Sequence, residues 1–308
     1  MDIKMQLMQK NGLVAIKLAR ELMTMSEGDR IPTVAAYAEK YGTARGTVQS
    51  ALKLLEEHRA ISLEPRGHLG TFISFMDYKV LWQFTDLGTI MGVMPLPYSK
   101  LYEGLATGLY KTMHKKEIPF SLAYMRGAVT RLKALEDARY DFAIVSKLAA
   151  KHSMEKGANL DIAVEFGEYS YVNEHALLFA DPTKNKIEDG MKIGIDSTSI
   201  DHYLLTISQC KEKKVQFIDI PYNQVIMKLE NGNIDAAIWN IDEIIERKLE
   251  INYQYLDEKI FKREDTEAVI VINKNNYGVR NLLAQFISGQ EVIKYQLEVV
   301  AGELIPNY

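Results

Sequence analysis

Apolar residues recur at helical spacing in the first 60 positions of the chain. The clearest run places them at i, i+3, i+4 and i+7, which predicts a helix with one buried face. Its members are Val48, Ala51, Leu52 and Leu55. A shorter helix precedes it, with Thr33 at a typical N-cap position and Gly42 where a left-handed residue ends a helix. Thr43 is predicted to cap the longer helix.

Strand-forming residues on both sides of a glycine-rich turn follow these helices. The stretch AISLEPRGHLGTFISF has a basic turn, from Arg66 to Gly70, between two apolar segments, which predicts a β-hairpin. Two helices joined by a glycine-containing turn form the helix-turn-helix unit, and the hairpin adds a wing. The pattern therefore predicts a winged helix-turn-helix domain over residues 1–75.

Strands alternate with helices in the rest of the chain, after a predicted linker at 76–86. This alternation predicts an α/β body with mostly parallel sheets over 87–308. One plan occurs twice: an amphipathic helix, a tight turn, an aspartate and a short buried strand. The two copies are LKALEDARYDFAIVS and IMKLENGNIDAAIWN. We expect two similar lobes with a cleft between them.

Composition and charge narrow the class of protein. The 308 residues are 47% apolar and 25% charged, as in globular proteins, and no apolar run reaches the roughly 20 residues that span a bilayer. The single cysteine, Cys210, excludes an intramolecular disulfide framework and favours a reducing compartment. Without a recognisable secretion signal, we expect a cytoplasmic protein with no membrane partner. Residues 1–75 hold ten Lys/Arg against eight Asp/Glu, a balance compatible with a polyanion partner.

The first turn of the longer helix is the candidate DNA-binding segment. In a helix-turn-helix domain this turn meets base edges, and arginine and glutamine can form paired hydrogen bonds with guanine and adenine. The wing tip can contact backbone phosphates. The predicted DNA contacts are Thr33, Ala44, Arg45, Gly46, Thr47, Gln49, Arg66, Gly67 and His68. A small helical domain used for dimerisation is the alternative.

Several predicted strands of the body end in polar or glycine-containing turns. Ligands of open α/β sheets bind outside the carboxyl ends of strands, and Arg126 offers a planar cation suited to carboxylate or phosphate. We therefore expect a small anionic metabolite there. The predicted ligand-binding residues are Pro97, Tyr98, Arg126, Gly127, Ser146, Asp196, Ser197, Thr198, Ser199, Trp239 and Asn240. Ser197 and Ser199 are alternatively helix caps, and Trp239 is alternatively a core residue.

Both parts of the chain resemble known families. RIPTVAAYAEKYGTARGTVQSALKLLEEHRAISLEPRGHLGTFI is similar to the winged helix-turn-helix of the GntR superfamily of bacterial regulators. That resemblance implies readout by Arg45, Thr47 and Gln49, with Arg66 and His68 on the wing. Gln49 stands where many members have a second arginine, and the wing is one residue longer than the common form.

The repeated helix–strand plan resembles the type 2 periplasmic-binding-protein fold. Together with MPLPYSKLYEGLATGL, AYMRGA and DAAIWN, the whole chain resembles the YhfZ family of transcriptional regulators. The resemblance implies an α/β protein with an N-terminal winged helix-turn-helix and a two-lobed periplasmic-binding-protein-like (type 2) domain. It implies no particular ligand.

These observations predict a ligand-responsive, sequence-specific transcriptional regulator. We expect a homodimer on a double-stranded DNA operator, because one winged module buries too little surface for tight specific binding. No cofactor or metal site is expected, and no nucleophile or P-loop motif indicates an enzyme. An enzyme of the two-lobed fold, dependent on residues such as Asp196 or His175, and a solute-binding protein of a transporter are the alternatives.

Overall fold

The computed structural model describes residues 10–256 and 262–308, which fall into two compact units. The first comprises the described chain up to Ile90 together with Met113–Phe120, and the second comprises Met91–Thr112 and Ser121–Tyr308. The elements of the first unit, in chain order, are α1 (Lys10–Leu22), β1 (Arg30–Ile31), α2 (Val34–Tyr41), α3 (Arg45–Glu57), β2 (Ile61–Pro65), β3 (Thr71–Met76) and α4 (Tyr78–Gln83).

The first unit has the predicted helix-turn-helix pair. Thr33 is the N-cap of α2, with its hydroxyl accepting a hydrogen bond from the Ala36 amide at 3.2 Å, and Gly42 ends α2 in the left-handed conformation with φ 61°. Both predictions are confirmed. The prediction that Thr43 caps α3 is wrong, because α3 begins one residue later and Ala44 holds the extended cap position without a side-chain hydrogen bond.

The apolar stripe of α3 is buried as its spacing predicted. Val48, Ala51 and Leu55 are fully shielded from solvent, and α1 packs against this helix. Strands β2 and β3 pair antiparallel, with Leu63 opposite Ile73, which confirms the hairpin. Strand β1 adds to the outer side of β3.

Residues 76–86, predicted as a linker, contain a helix with its own buried face. Asp77 caps α4 by accepting a hydrogen bond from the Val80 amide at 3.0 Å. Leu81 and Trp82 are buried, and the Trp82 indole donates to the Gly88 carbonyl at 2.7 Å. The Tyr78 hydroxyl donates to the Met25 carbonyl at 3.0 Å, and the Arg20 guanidinium donates to the Thr85 carbonyl at 2.7 Å. These bonds hold the segment against the rest of the first unit.

The second unit is built on two five-stranded sheets, each the core of one lobe. The strands of lobe 1 are β4 (Ile90–Met94), β5 (Phe120–Tyr124), β6 (Phe142–Ser146), β7 (Leu160–Glu165) and β13 (Ala268–Asn273). The strands of lobe 2 are β8 (His175–Phe179), β9 (Lys192–Ile195), β10 (Gln216–Asp219), β11 (Ala236–Asn240) and β12 (Asn252–Tyr255). Lobe 1 has strand order β5-β4-β6-β13-β7, and lobe 2 has strand order β10-β9-β11-β8-β12.

Helices cover both sheets. They are α5 (Lys100–His114), α6 (Ala128–Glu136), α7 (Lys147–Glu155), α8 (Ile200–Gln209), α9 (Val225–Glu230), α10 (Ile241–Arg247), α11 (Tyr277–Phe286) and α12 (Gly289–Val300). The repeated helix–strand plan of the sequence corresponds to α6–β6 in lobe 1 and α9–β11 in lobe 2, and both strands hold the central place in their sheets.

The sheets are mixed, so the expectation of mostly parallel strands is wrong. In lobe 1, β4 runs parallel to β6 but β13 runs antiparallel to both β6 and β7. In lobe 2, β9 runs parallel to β10 and β11, whereas β8 runs antiparallel to β11 and β12. The antiparallel strands β8 and β13 each lie directly after a passage of the chain from one lobe to the other, and they enter their sheets in the reversed direction.

Helix α12 docks against two glycines of α5. A Cβ atom at Gly104 would lie 2.7 Å from the Gln296 carbonyl oxygen, and one at Gly108 would lie 2.5 Å from that of Val292. The Gln296 side chain is buried and donates to the carbonyls of Leu101 and Ser170. The small residues of α5 thus permit a close helix contact that this glutamine fixes in register.

Candidate functional site

The first turn of α3 presents its polar side chains to solvent. Ala44, Arg45, Gly46 and Gln49 are exposed and Thr47 is half-buried, because Val48 directs the opposite face into the core. Arg45 forms no salt bridge with any of the described residues, and Gly46 has open space where a Cβ atom would lie. This turn can therefore approach the edge of a duplex closely.

The wing carries the second group of predicted DNA contacts. Arg66, Gly67 and His68 are exposed at its tip, where Gly67 adopts a left-handed φ of 57°. The Arg66 guanidinium bonds to the Glu64 carboxylate at 2.8 Å and lies 4.6 Å from the centre of the Phe72 ring. These two contacts orient the arginine along the hairpin. Thr33, also a predicted DNA contact, uses its hydroxyl in the α2 cap.

A small cleft lies between the two lobes of the second unit. Six of the predicted ligand residues line it: Tyr98, Arg126, Gly127, Asp196, Ser199 and Asn240. The other five lie outside its wall: Pro97, Ser146, Ser197, Thr198 and Trp239. The cleft encloses about 70 Å³.

Arg126 and Asp196 close this cleft from opposite lobes. The Arg126 Nη1 lies 3.3 Å from the Asp196 Oδ2, and the same carboxylate accepts hydrogen bonds from the Thr198 amide and hydroxyl and from the Tyr222 amide. Burial alone would raise the pKa of Asp196, but these hydrogen bonds and the Arg126 charge lower it below its usual value. Asp196 is thus held in its ionised form by Arg126, Thr198 and Tyr222.

The start of α6 also meets lobe 2. The Val129 amide donates to the Thr198 carbonyl at 3.1 Å. Gly127, with φ 78°, approaches the Thr198 side chain so closely that a Cβ atom would lie 2.7 Å from the Thr198 Oγ1. The Val129 amide, in the first turn of α6, is therefore bound by the other lobe. Ser199 is the N-cap residue of α8 but its hydroxyl makes no capping hydrogen bond.

Ser146 and Asp201 form a second bond between the lobes. The Ser146 hydroxyl donates to the Asp201 Oδ1 at 2.6 Å and also accepts from the Ala149 amide as the cap of α7. Burial raises the pKa of Asp201 to about 6, although the Ser146 hydroxyl opposes that rise. This carboxyl group can therefore change its protonation state close to neutral pH.

Two histidines of the cleft are hydrogen-bonded to other residues of the protein. His175 lies 2.8 Å from the Asp265 carboxylate, and this partner raises the pKa of His175 against the opposing effect of burial. His202 accepts from the Asp196 amide through Nδ1 and bonds the Ile238 carbonyl through Nε2. Burial lowers the pKa of His202 to about 4, so its imidazole is neutral at physiological pH.

Trp239 packs behind the cleft instead of lining it. It is almost fully buried and stacks on Tyr222, with ring centres 3.9 Å apart and an angle of 11° between the planes. The Tyr222 hydroxyl accepts from the Asn240 amide at 2.8 Å. Trp239 therefore supports two lining residues, as its alternative interpretation as a core residue implies.

Sequence reasoning missed several lining residues, of which Arg131 is chemically the most distinctive. The main ones are Leu96, Tyr102, Arg131, Tyr171, Val172, Asp201, His202, Tyr222 and Glu243. Arg131 is only 3% exposed. A signal was present, because Arg131 falls on the same helical face as Ala128, Leu132 and Leu135, which are all buried.

Within residues 10–256 and 262–308, no three His, Cys, Asp or Glu side chains are grouped as a metal site would require. A search of the same residues finds no helix of the length and apolar character needed to cross a membrane.

Comparisons with known proteins agree with this architecture. Residues 77–308 match the family model of the YhfZ C-terminal domain, and residues 26–73 match a helix-turn-helix domain model. The chain is 34% identical over 304 residues to the protein YhfZ of Escherichia coli (strain K12), covering 97% of this chain and 98% of that protein.

Solved structures show the same relationship. The crystal structure of YhfZ from Shigella flexneri matches with a TM-score of 0.63 and 34% identity, covering 75% of this chain and 97% of that one. The periplasmic aliphatic sulphonate binding protein SsuA from Escherichia coli matches with a TM-score of 0.52 at 15% identity, covering 70% of this chain and 75% of that one. The latter likeness is one of fold. The predicted fold class, a helix-turn-helix followed by a type 2 periplasmic-binding-protein-like α/β domain, is confirmed.

Proposed function

This chain belongs to the YhfZ family, and from that premise we propose that it is a transcriptional regulator that reads a DNA operator and senses a small metabolite. Residues 1–75 form the DNA-binding domain, and residues 87–308 form the effector domain. The observation that carries the proposal is the exposed first turn of α3, in which Arg45 and Gln49 face solvent beside small residues. A regulator that binds the chromosome acts in the cytoplasm.

Base readout belongs to Arg45, Thr47 and Gln49. Arg45 has no carboxylate partner in the described chain that would compete with DNA, and an arginine can pair with both acceptors of a guanine in the major groove. Arg66 and His68, at the exposed wing tip, contact phosphates or the minor groove.

Two copies of the chain bind one operator. A single winged module buries too little surface for the affinity of a specific regulator, and two modules related by a two-fold axis read a partly palindromic site. The expected stoichiometry of two chains per operator duplex can be measured by analytical ultracentrifugation.

The effector binds between the lobes of the second unit and changes their closure. This proposal is supported by three polar contacts that join the two lobes: Arg126–Asp196, Ser146–Asp201 and Val129–Thr198. A ligand that replaces or reinforces such contacts has different affinities for open and closed states, and this difference is what couples it to DNA binding. The arginines of the cleft favour a ligand with an anionic group.

The DNA-binding part is tested by selecting bound duplexes from a random pool and measuring affinity for the enriched site at several salt concentrations. Arg45→Ala is expected to lose about 1–3 kcal/mol of binding free energy and to relax specificity at one base pair. Lys53→Ala is the matched control, because Lys53 is an exposed cation later on the same helix. Failure to enrich any sequence, or unchanged binding by Arg45→Ala, contradicts the proposal.

A further inference from the structure

Arg131 is a buried cation whose hydrogen-bond partners are all neutral. Its Nε donates to the Ile144 carbonyl at 3.1 Å, its Nη1 to the Met125 carbonyl at 2.8 Å and its Nη2 to the Tyr171 hydroxyl at 3.0 Å. It forms no salt bridge with a described residue. A guanidinium has five N–H groups, so two remain for another partner on a side chain that lines the cleft.

The other cations of the cleft are already compensated. Arg126 is paired with Asp196, and His175 is paired with Asp265. His202 is neutral with both ring nitrogens engaged. The charges of Arg131 and Asp201 act on each other, but no salt bridge joins the two side chains. A buried cation that lacks a salt bridge gains from an incoming anion, so Arg131 is the position in this wall that gains most from one.

The carboxylates of the wall limit the charge of that anion. Glu243 is paired with Arg247 at 2.6 Å. Among the described residues, Asp201 is therefore the lining carboxylate without a salt bridge, although the charges of His175 and Arg131 act on it. Asp201 accepts one hydrogen bond, from Ser146. A doubly charged anion would place excess negative charge near this group, whereas one negative charge balances Arg131 and a hydroxyl or ammonium group can bond Asp201.

The size of the cleft limits the ligand further. About 70 Å³ of space lies between walls that include Leu96, Tyr102 and Tyr171. Such a space holds only a few water molecules, so the cleft as it stands fits a ligand of a few non-hydrogen atoms.

From these observations we infer that Arg131 binds the carboxylate of a small monocarboxylate. The same ligand carries a hydrogen-bond donor for Asp201, while Arg126 remains in its ion pair with Asp196. The inference rests on the proposed function only in taking this cleft as the effector site. It changes which arginine holds the ligand, because Arg126 is the residue that sequence reasoning selected.

The test is a ligand-detected NMR titration of the full chain with glycolate, glycine, acetate, inorganic phosphate and sulphate at constant ionic strength. Glycolate or glycine is expected to bind more tightly than acetate, and each more tightly than phosphate or sulphate. Arg131→Lys is expected to weaken carboxylate binding by about tenfold, since lysine keeps the charge but cannot offer the two parallel N–H donors that a guanidinium gives a carboxylate. Lys133→Ala, the matched control, is expected to leave it within about threefold, because Lys133 is an exposed cation of the same helix that lies outside the cleft wall and its partner Asp137 is exposed too.

Three outcomes would overturn the inference: no carboxylate binds the wild-type chain, phosphate or sulphate binds most tightly, or Arg126→Ala abolishes binding while Arg131→Lys preserves it. If Arg131→Lys does not fold, as judged by circular dichroism, a crystal structure of the wild-type chain with bound glycolate decides. Carboxylate oxygens on the Arg131 Nη atoms support the inference, and a carboxylate on Arg126 alone contradicts it. DNA selection is independent of this titration, so either proposal can fail while the other stands.

Discussion

Replacing Asp201 by asparagine is expected to stabilise the second unit at neutral pH. Burial raises the pKa of the Asp201 carboxyl from 3.8 to about 6 in the folded protein, whereas the unfolded chain ionises near 3.9. Between these values the unfolded chain has released a proton that the folded chain keeps. The contribution of Asp201 to the free energy of unfolding therefore falls as the pH rises through this window, and it stays reduced above about pH 6.

The size of the effect follows from the same difference in pKa. A rise from 3.8 to about 6 spans about two pH units, and each unit corresponds to 1.36 kcal/mol, so the ionised carboxyl destabilises the fold by about 3 kcal/mol. Asparagine has no charge to bury and keeps an oxygen that can accept the Ser146 hydroxyl. We expect Asp201→Asn to raise the free energy of unfolding by up to about 3 kcal/mol at about pH 8 and to change it little at about pH 4.

Urea unfolding between about pH 4 and about pH 8 measures this effect. In a Trp82→Phe background, the fluorescence of Trp239, which lies in the strand β11 of lobe 2, reports on the second unit alone. Asp137→Asn, which removes an exposed carboxylate of the same unit, is the control. The reasoning is refuted if the gain in stability of Asp201→Asn over wild type does not increase between about pH 4 and about pH 6, or if Asp201→Asn is less stable than wild type at about pH 8.

Two further substitutions have expected outcomes. Ser146→Ala removes the hydroxyl that lowers the pKa of Asp201, so in the same urea series the loss of stability should extend to higher pH than in wild type; an unchanged upper limit would contradict this role of Ser146. Gly108→Ala places a Cβ atom 2.5 Å from the Val292 carbonyl oxygen, so it should lower the melting temperature of the second unit. The control Gly278→Ala, in a helix with open space around it, should be neutral or stabilising by up to about 1 kcal/mol. Equal effects of the two substitutions would show that the α5–α12 contact is not tight.

Local patterns predicted the first unit well. The stripe of α3 and the caps at Thr33 and Gly42 depend on contacts within a few residues, which spacing and residue type reveal directly. The error at Thr43 is also local. The N-cap position of α3 falls on Ala44 by its extended backbone, although Ala44 has no side chain that can cap the helix.

The order and direction of the strands could not be predicted from these patterns. A buried strand has the same apolar run whether its neighbour is parallel or antiparallel, so the reversed entry of β8 and β13 left no mark in the sequence. The strands β7 and β12 and the helix α7 were also not predicted, and β12 in particular has only four residues.

The sequence predicted only lining residues of the cleft that lie in turns or at strand ends, and none of those inside helices. Tyr98, Arg126, Asp196 and Asn240 lie in turns or at strand ends, where a general rule for α/β sheets places ligands. Arg131 lies within a helix, and its acceptors are 6, 13 and 40 positions away along the chain. Its burial therefore depends on tertiary contacts, and only its place on the apolar face of α6 gave a hint.

The position of β13 has a consequence for the order in which the protein is made. Lobe 2 uses one continuous stretch, from β8 to β12, and can form as soon as Tyr255 has left the ribosome. Lobe 1 lacks the strand that joins β6 to β7 until Asn273 has emerged. The three strands β5, β4 and β6 and the single strand β7 must therefore wait, with unpaired edges, while the other lobe is synthesised. Pausing or chaperone contact during this interval would prolong or protect the incomplete state of lobe 1.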